Sequence, residues 1–182
     1  MKIQEKDIYL DTLSREDCRI LWNETEYDFK NPTEDLNLGH SEEKANDWFE
    51  EIQKLQGKRN VRLGIFLNDG KVIGDVALQD INQSNRNCSV GIGISKLEYR
   101  GRGYGSQAVM LMLNYGFRYL GMERISANTL DVNTGAQKAL EKCGFLPEGR
   151  ERKAVYLNGM LHDRLRDGML KEEFLTAGYQ PF

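Results

Sequence analysis

Between residues 103 and 120 the chain runs for eighteen residues with one charge, Arg118. The stretch holds Ala108, Val109, Met110, Leu111, Met112, Leu113, Tyr115, Phe117 and Tyr119. A helix that is apolar on most of its faces must be covered on several sides, so this one is expected between a sheet and other layers. That requirement predicts a layered α/β fold, and the flanking segments supply the sheet.

Residues 8–13 alternate as a first strand. Ser14 reads as an N-cap with Asp17 three residues on, ahead of Ile20, Leu21 and Trp22. Residues 24–39 are polar and aromatic and read as loop or broken helix. Ser41 precedes a helix at 44–55 with Trp48, Ile52 and Leu55 on one face. Residues 61–67 and 71–78 read as strands around Asn68-Asp69-Gly70, and a polar turn at 82–87 leads to a strand at 88–94. Beyond the apolar helix come a short strand at 125–130 and an amphipathic helix at 134–143, with Ala136, Ala139, Leu140 and Cys143 on one face and Gly144 as its C-cap. A hairpin of 151–156 and 160–171 turns at Asn158-Gly159. The order predicts one domain over residues 1–182 with a mixed, mostly antiparallel sheet.

Composition agrees. The 182 residues are 40% hydrophobic and 29% charged, the balance of a globular domain. The first ten residues mix charged and apolar types, so no secretory signal is read. No run approaches the ~20 apolar residues of a membrane span. The expected setting is cytoplasmic, with no membrane partner. A net charge of −3 and no basic segment give no nucleic-acid partner. Cys18, Cys88 and Cys143 are an odd, scattered set without a CxxC pair and are expected as reduced thiols in or near the core. With only His40 and His162 beside them, no metal site and no cysteine–histidine nucleophile is expected. His162 reads as a hairpin surface residue.

The chemistry points to Arg100-Gly101-Arg102-Gly103-Tyr104-Gly105-Ser106, set between a strand and the apolar helix. Glycines allow unusual dihedrals and close approach of the backbone to a ligand. The free N–H groups and dipole of the following helix favour an anion, and two arginines add charge. This reads as a loop for phosphates, and for a pyrophosphate in particular. A Walker loop would end in Gly-Lys-Ser/Thr, and a dinucleotide fold needs GxGxxG in a βαβ unit; neither is present.

Arg100-x-x-Gly103-x-Gly105 resembles the coenzyme A pyrophosphate motif of the GNAT acetyltransferases, (Arg/Gln)-x-x-Gly-x-(Gly/Ala). Asn133-Thr134-Gly135-Ala136, running through Leu140-Glu141-Lys142-Cys143 to Gly144-Phe145, resembles the block on that family's second cofactor helix. Ile73-Gly74 and Val90-Gly91-Ile92-Gly93-Ile94 look like its paired central strands. Glu148-Gly149-Arg150, Asn158-Gly159 and Asp163 look like the closing hairpin of the ribosomal-protein and spermidine N-acetyltransferase branches. The resemblance covers residues 8–172. It implies a GNAT-type sheet flanked by about four helices, with splayed central strands forming the cofactor cleft. It implies an acetyl-coenzyme A-dependent N-acetyltransferase with no metal. Acetyl transfer would go to a primary amine by direct attack in a ternary complex. The amine would belong to a small molecule, such as a polyamine or amino sugar, or to a peptide N-terminus. A homodimer is the implied assembly.

The resemblance also assigns roles. The backbone of Ile92, Gly93 and Ile94 would pair with the pantetheine arm, and one N–H there would polarise the thioester carbonyl. Arg100, Gly101, Arg102, Gly103, Tyr104, Gly105 and Ser106 would hold the pyrophosphate, and Asn133 and Thr134 the cofactor arm. The family's usual helix tyrosine falls here on Leu140, and the serine of other ribosomal-branch members falls near Gly135 and Ala136. The departing thiolate would then be protonated by Asn133, Thr134, a water or a tyrosine from elsewhere, or would leave without full protonation. A protonated amine must also lose its proton. Asp75 and Asp80 on the preceding strand, or Asp163 on the hairpin, are the candidates. Alternation sets Asp75 with Gln79 on one face and Asp80 on the other. Tyr27, Phe29, Trp48 and Tyr156 are candidates to line the acceptor site, and Arg150 and Arg152 face either solvent or an acidic acceptor. The alternative reading is a coenzyme A-binding sensor or scaffold without turnover, suggested by the missing tyrosine.

Overall fold

A computed structural model describes residues 2–33 and 41–179. Two short strands, β1 (Ile3–Gln4) and β2 (Ile8–Asp11), lead into α1 (Arg15–Glu24) and α2 (Glu43–Leu55). A meander of β3 (Val61–Leu67), β4 (Val72–Asn82) and β5 (Asn87–Ile94) follows. A 3₁₀ turn at Leu97–Tyr99 and the glycine loop precede α3 (Tyr104–Asn114), which widens into a π-helical turn at Tyr115–Tyr119. The chain closes with β6 (Arg124–Leu130), α4 (Thr134–Lys142), the hairpin of β7 (Leu146–Leu157) and β8 (Met160–Leu170), and α5 (Lys171–Thr176).

The eight strands form one sheet in the order β1-β2-β3-β4-β5-β6-β8-β7. Neighbours are antiparallel except for the parallel pair β5/β6, which α3 connects. The apolar helix lies where its composition demands. Ala108 and Met112 of α3 pack into one core with Ile65, Val76, Leu78 and Ile125 of the sheet, all fully buried. Arg118, its only charge, reaches the surface and donates to the Tyr179 carbonyl. A second core under α1 and α2 joins Leu13, Cys18, Leu21, Ile52, Phe66 and Val72. Among the described residues no helix is long and apolar enough to cross a membrane.

Most expected elements are present. The Ser14 cap is a full capping box: its Oγ accepts from the Asp17 N–H and its own N–H donates to the Asp17 carboxylate. Several features differ. The apolar helix ends its α-geometry at Asn114 and not at Leu120. β7 begins at Leu146, five residues earlier than expected, because Pro147 and Gly149 are absorbed at a register shift and do not break the strand. Among the described residues α5 makes five α-helices where about four were expected, and β1 is a further strand. Of the segment 24–39 read as loop or broken helix, Glu24 closes α1 and 25–33 are non-helical. The remainder, like His40, lies outside the described residues.

Candidate active site

β5 and β6 pair at only three positions, Asn87↔Arg124, Cys88↔Ile125 and Ser89↔Ser126. Beyond Ser89 the strands part. Burial records the opening: Val90 is 8% exposed, whereas Ile92 is 38% exposed and Gly93 is exposed. The Ser95 N–H donates to the Ile73 carbonyl, so in this antiparallel ladder the odd-numbered residues of β5 turn their amides toward β4. The backbone of Ile92 and Ile94 therefore faces the gap, an open strand edge inside the sheet.

The edge runs toward the glycine loop. Gly101 and Gly103 hold φ of +72° and +86°, left-handed values at which a side chain is strained. The first bond of the α3 ladder runs from the Gln107 N–H to the Gly103 carbonyl, so the N–H groups of Tyr104, Gly105 and Ser106 precede it. α1 and α4 carry side-chain caps from Ser14 and Asn133, whereas α2 and α3 have none. A helix start left without a side-chain acceptor suits an anion, an interaction of roughly 0.3–1 kcal/mol and up to ~2 when partly buried.

The two arginines of the loop were expected to add charge for the phosphates. The structure turns the Arg100 guanidinium onto backbone carbonyls, whereas Arg102 is exposed and is tied through Nε. Arg102 Nε donates to the Glu98 carbonyl at 2.6 Å. Arg100 Nε and Nη2 both donate to the Ile94 carbonyl at 3.0 and 2.8 Å, and Nη2 also reaches the Glu26 carbonyl at 2.8 Å. Its Nη1 lies 3.7 Å from Asp28. Burial pushes the Arg100 pKa below its ordinary value, with Asp28 and Glu26 opposing.

Asn133 is buried and caps α4: Oδ1 accepts from the Ala136 N–H at 3.0 Å and Nδ2 donates to the Pro32 carbonyl at 3.2 Å. Thr134 Oγ1 lies 3.2 Å from Asn31 Oδ1, which also accepts from the Gly135 N–H at 3.0 Å. Leu140, at the family's tyrosine position, is 6% exposed and sits in the main core.

The three carboxylates occupy different surroundings. Asp80 has φ +53° at the bulge of β4 and an exposed side chain 3.9 Å from Arg59. It lies between Gln79 and Asn82, opposite the part of β5 still paired to β6, and so is not brought to the opening. Asp163 is held by Arg150 and accepts from the Lys153 N–H at 2.7 Å. These contacts, the Lys153 N–H first, hold its pKa below the carboxylate value, which makes a weak base. Asp75 pairs in register with Gly93, and its Oδ1 lies 3.4 Å from where a Gly93 Cβ would stand. Its Oδ2 is bound by Arg62, whose guanidinium stands 5.9 Å from the Trp48 ring. Sequence reasoning did not single out Arg62. The strand register alone places it beside Asp75, with Gly64↔Asp75 and Arg62↔Ala77 one pair apart on that face.

Of the acceptor candidates, the structure brings Tyr27 and Phe29 together, ring edge to ring face at 4.8 Å between centroids. The Tyr27 hydroxyl accepts from Asn158 Nδ2 at 3.2 Å, joining them to the hairpin turn. Tyr156 is 72% exposed opposite Leu161 on the hairpin. Arg150 pairs with Asp163 and Asp131. His162 departs from the surface placement expected of it. It is 8% exposed, with Nδ1 3.5 Å from Asp131, because its register with Val155 turns it toward the Leu130–Val155–Leu157 cluster. All three cysteines are free and buried, and burial raises Cys18 and Cys88 to about 12 and Cys143 to about 11, so the thiols stay protonated at neutral pH.

Known proteins share this chain's sequence pattern and fold. Residues 8–146 match the acetyltransferase (GNAT) domain family. The chain is 32% identical over 128 residues to a putative ribosomal N-acetyltransferase, YdaF, of Bacillus subtilis, covering 70% of this chain and 67% of that one. It is 27% identical over 152 residues to a spermidine N(1)-acetyltransferase of Vibrio cholerae, covering 77% and 87%. In structure it is similar to that organism's spermidine N-acetyltransferase in complex with CoA and spermine, with a TM-score of 0.79, 22% identity and 94% and 99% of the two chains covered. An interior strand edge that opens onto a glycine-rich helix start, matched over most of its length by this family, makes the chain a GNAT-family N-acetyltransferase.

Proposed function

We propose that this chain moves an acetyl group from acetyl-coenzyme A to a primary amine by direct attack in a ternary complex. The observation that carries the reading is the unpaired edge of β5 leading into the uncapped start of α3. The fit is specific: an extended arm with amides matches the edge, and a pyrophosphate matches the three leading N–H groups of α3. Acetyl-coenzyme A, when bound, supplies the thioester acyl group. The chain orients the donor along Ile92 and Ile94, where a backbone N–H is fixed beside the reacting carbonyl without a dedicated side chain. Gly101, Gly103, Tyr104, Gly105 and Ser106 cradle the phosphates. α3 packs on the sheet face that carries Ile92, so the amine approaches from the other face, past Asp75 and Gln79. There the carboxylate of Asp75 meets the incoming ammonium and accepts its proton, which frees the nitrogen lone pair for attack, with the coenzyme A thiolate as leaving group.

The acceptor is a small-molecule amine or a peptide N-terminus, and the named activities of the relatives support both. The acting form is taken as a cytoplasmic homodimer, and sedimentation velocity tests the dimer. The burial of Leu140 where the family's tyrosine would stand favours one second reading, a coenzyme A-binding protein without turnover. Calorimetric titration with acetyl-coenzyme A, with ATP and NAD as controls, tests the cleft; preference for ATP or NAD would discard the proposal. A steady-state assay on a panel of polyamines, amino sugars and peptides then separates enzyme from sensor.

A further inference from the structure

Residues 26–32 begin beside the end of β5 and finish at the start of α4. The sheet leaves these two elements apart, because α4 follows β6 and β6 diverges from β5. At the first end the Glu26 N–H donates to the Ser95 carbonyl at 2.8 Å, and the Glu26 carboxylate accepts from the Leu97 N–H at 2.7 Å. Arg100 ties the Glu26 carbonyl and the Ile94 carbonyl to one guanidinium and faces Asp28. At the second end Asn31 holds Thr134 and Gly135, while Asn133 holds the Pro32 carbonyl. Asp28 links the two, since its Oδ2 accepts from Asn31 Nδ2 at 3.1 Å. The segment is therefore a strap across the opening, fastened to both motifs that the family uses for its cofactor. Tyr27 and Phe29, the aromatic pair, stand on it.

We propose that Arg100 is a positioning residue that fastens this strap and the end of β5, with Asn31 and Asn133 as the opposite fastening, and is not a ligand of the pyrophosphate. The geometry supplies the reason: its donors converge on carbonyls of Ile94, Ser95 and Glu26. The planar fork of arginine can hold several carbonyls in fixed directions, which a lysine or glutamine cannot reproduce. In this chain the Arg100 charge of the loop sets the shape of the acceptor side, while the glycine backbone holds the phosphates. The proposal rests on the acetyl-transfer reading for what the strap serves, but its first test needs no ligand.

Lys30 lies exposed in the strap and gives trypsin one cut there. In Arg100→Gln, and independently in Asn31→Ala at the other end, tryptic cleavage after Lys30 should speed up by about tenfold or more, because a local opening is released. Cleavage at Lys58 and Arg59, in a turn outside the strap, should not change. Arg100→Gln should also weaken acetyl-coenzyme A and S-acetyl-pantetheine, which lacks the pyrophosphate, by the same factor. Unchanged cleavage after Lys30 in both variants would overturn the proposal, and so would a loss of affinity confined to acetyl-coenzyme A. Failure of the wild-type protein to bind either compound would instead count against the acetyl-transfer reading, leaving the proteolysis result to stand alone.

Discussion

Asn133 uses one amide twice, as the cap of α4 and as the hook for Pro32. Its replacement by Ala should cost about 1 kcal/mol, the usual worth of an N-cap. That appears as a fall in Tm of about 2–4 °C by calorimetry in a chain of this size. Asn133→Asp should restore the cap but not the hook, because a carboxylate cannot donate to a carbonyl. Equal stability of Asn133→Ala and the parent would contradict the capping role. Gly103 gives the sharper case. At φ +86° a β-branched residue is strained and also brings a side chain to the helix start. Gly103→Val should lose measurable acetyl-coenzyme A binding in a calorimetric titration while its circular dichroism stays that of the parent. Gly105→Ala should be mild, since its Cβ would meet Ile92 Cδ1 at an ordinary 3.4 Å.

At the scale of elements, two glycines of the central strands make opposite predictions. A Cβ on Gly74 would overlap the Gly93 carbonyl and come within 3.2 Å of the Ile94 Cα, both main-chain atoms that cannot turn aside. One on Gly91 would meet the Gln79 side-chain amide, its oxygen nearest at 3.0 Å, on a side chain that can swing. Gly74→Ala should cost about 1–3 kcal/mol in urea unfolding and displace the edge where the acyl donor is held, with a matching loss of affinity. Gly91→Ala should keep both close to the parent; the reverse ranking would refute the strand register. Much at this scale was legible in the sequence. The Ser14–Asp17 box, the uncharged stretch of α3 and the Asn158-Gly159 turn are local signals, and each produced the element it announced. β7 was legible only from 151 onward, because its first residues, 146–150, pair with β8 across a register shift between Pro147 and Gly149 that no local pattern announces. The strap was not legible. Its hydrogen bonds join residues as far apart as Asn31 and Gly135, and nothing periodic marks a segment whose shape is set by partners about a hundred positions away. The same holds for Arg62 and Asp75, whose meeting depends on the pairing of β3 with β4.

Over the whole molecule, electrostatics sets an acid limit. Arg124 holds the pKa of Glu148 below its ordinary value, and Arg166 does so for Glu151. In Asp163 the Lys153 N–H leads. In Asp28 burial alone would raise the value, but Asn31, two backbone N–H groups and Arg100 outweigh it. A carboxylate held low stabilises the fold at any pH above its unfolded value and loses that contribution as pH falls through its folded value. Asp167, raised by burial and by Glu148, works in the other direction. Four lowered groups against one raised predict a urea midpoint that is flat from pH 7 to about 5 and falls as pH drops through 4 and below. A midpoint unchanged down to pH 3 would contradict these pairings. All four lowered groups lie on the hairpin or the strap, so hydrogen exchange in acid should rise there before it rises in α3.

The three-pair seam between β5 and β6 has a consequence for the protein when nothing fills it. Sheets usually confine their unpaired backbone to the periphery, where charges and short strands keep other chains away. Here the unpaired length is in the middle, and its sequence, Val90-Gly91-Ile92-Gly93-Ile94, carries neither charge nor proline. On the proposed reading the acyl donor supplies partners for this backbone, so the protein alone should aggregate faster on warming than the protein with saturating acetyl-coenzyme A, which light scattering checks.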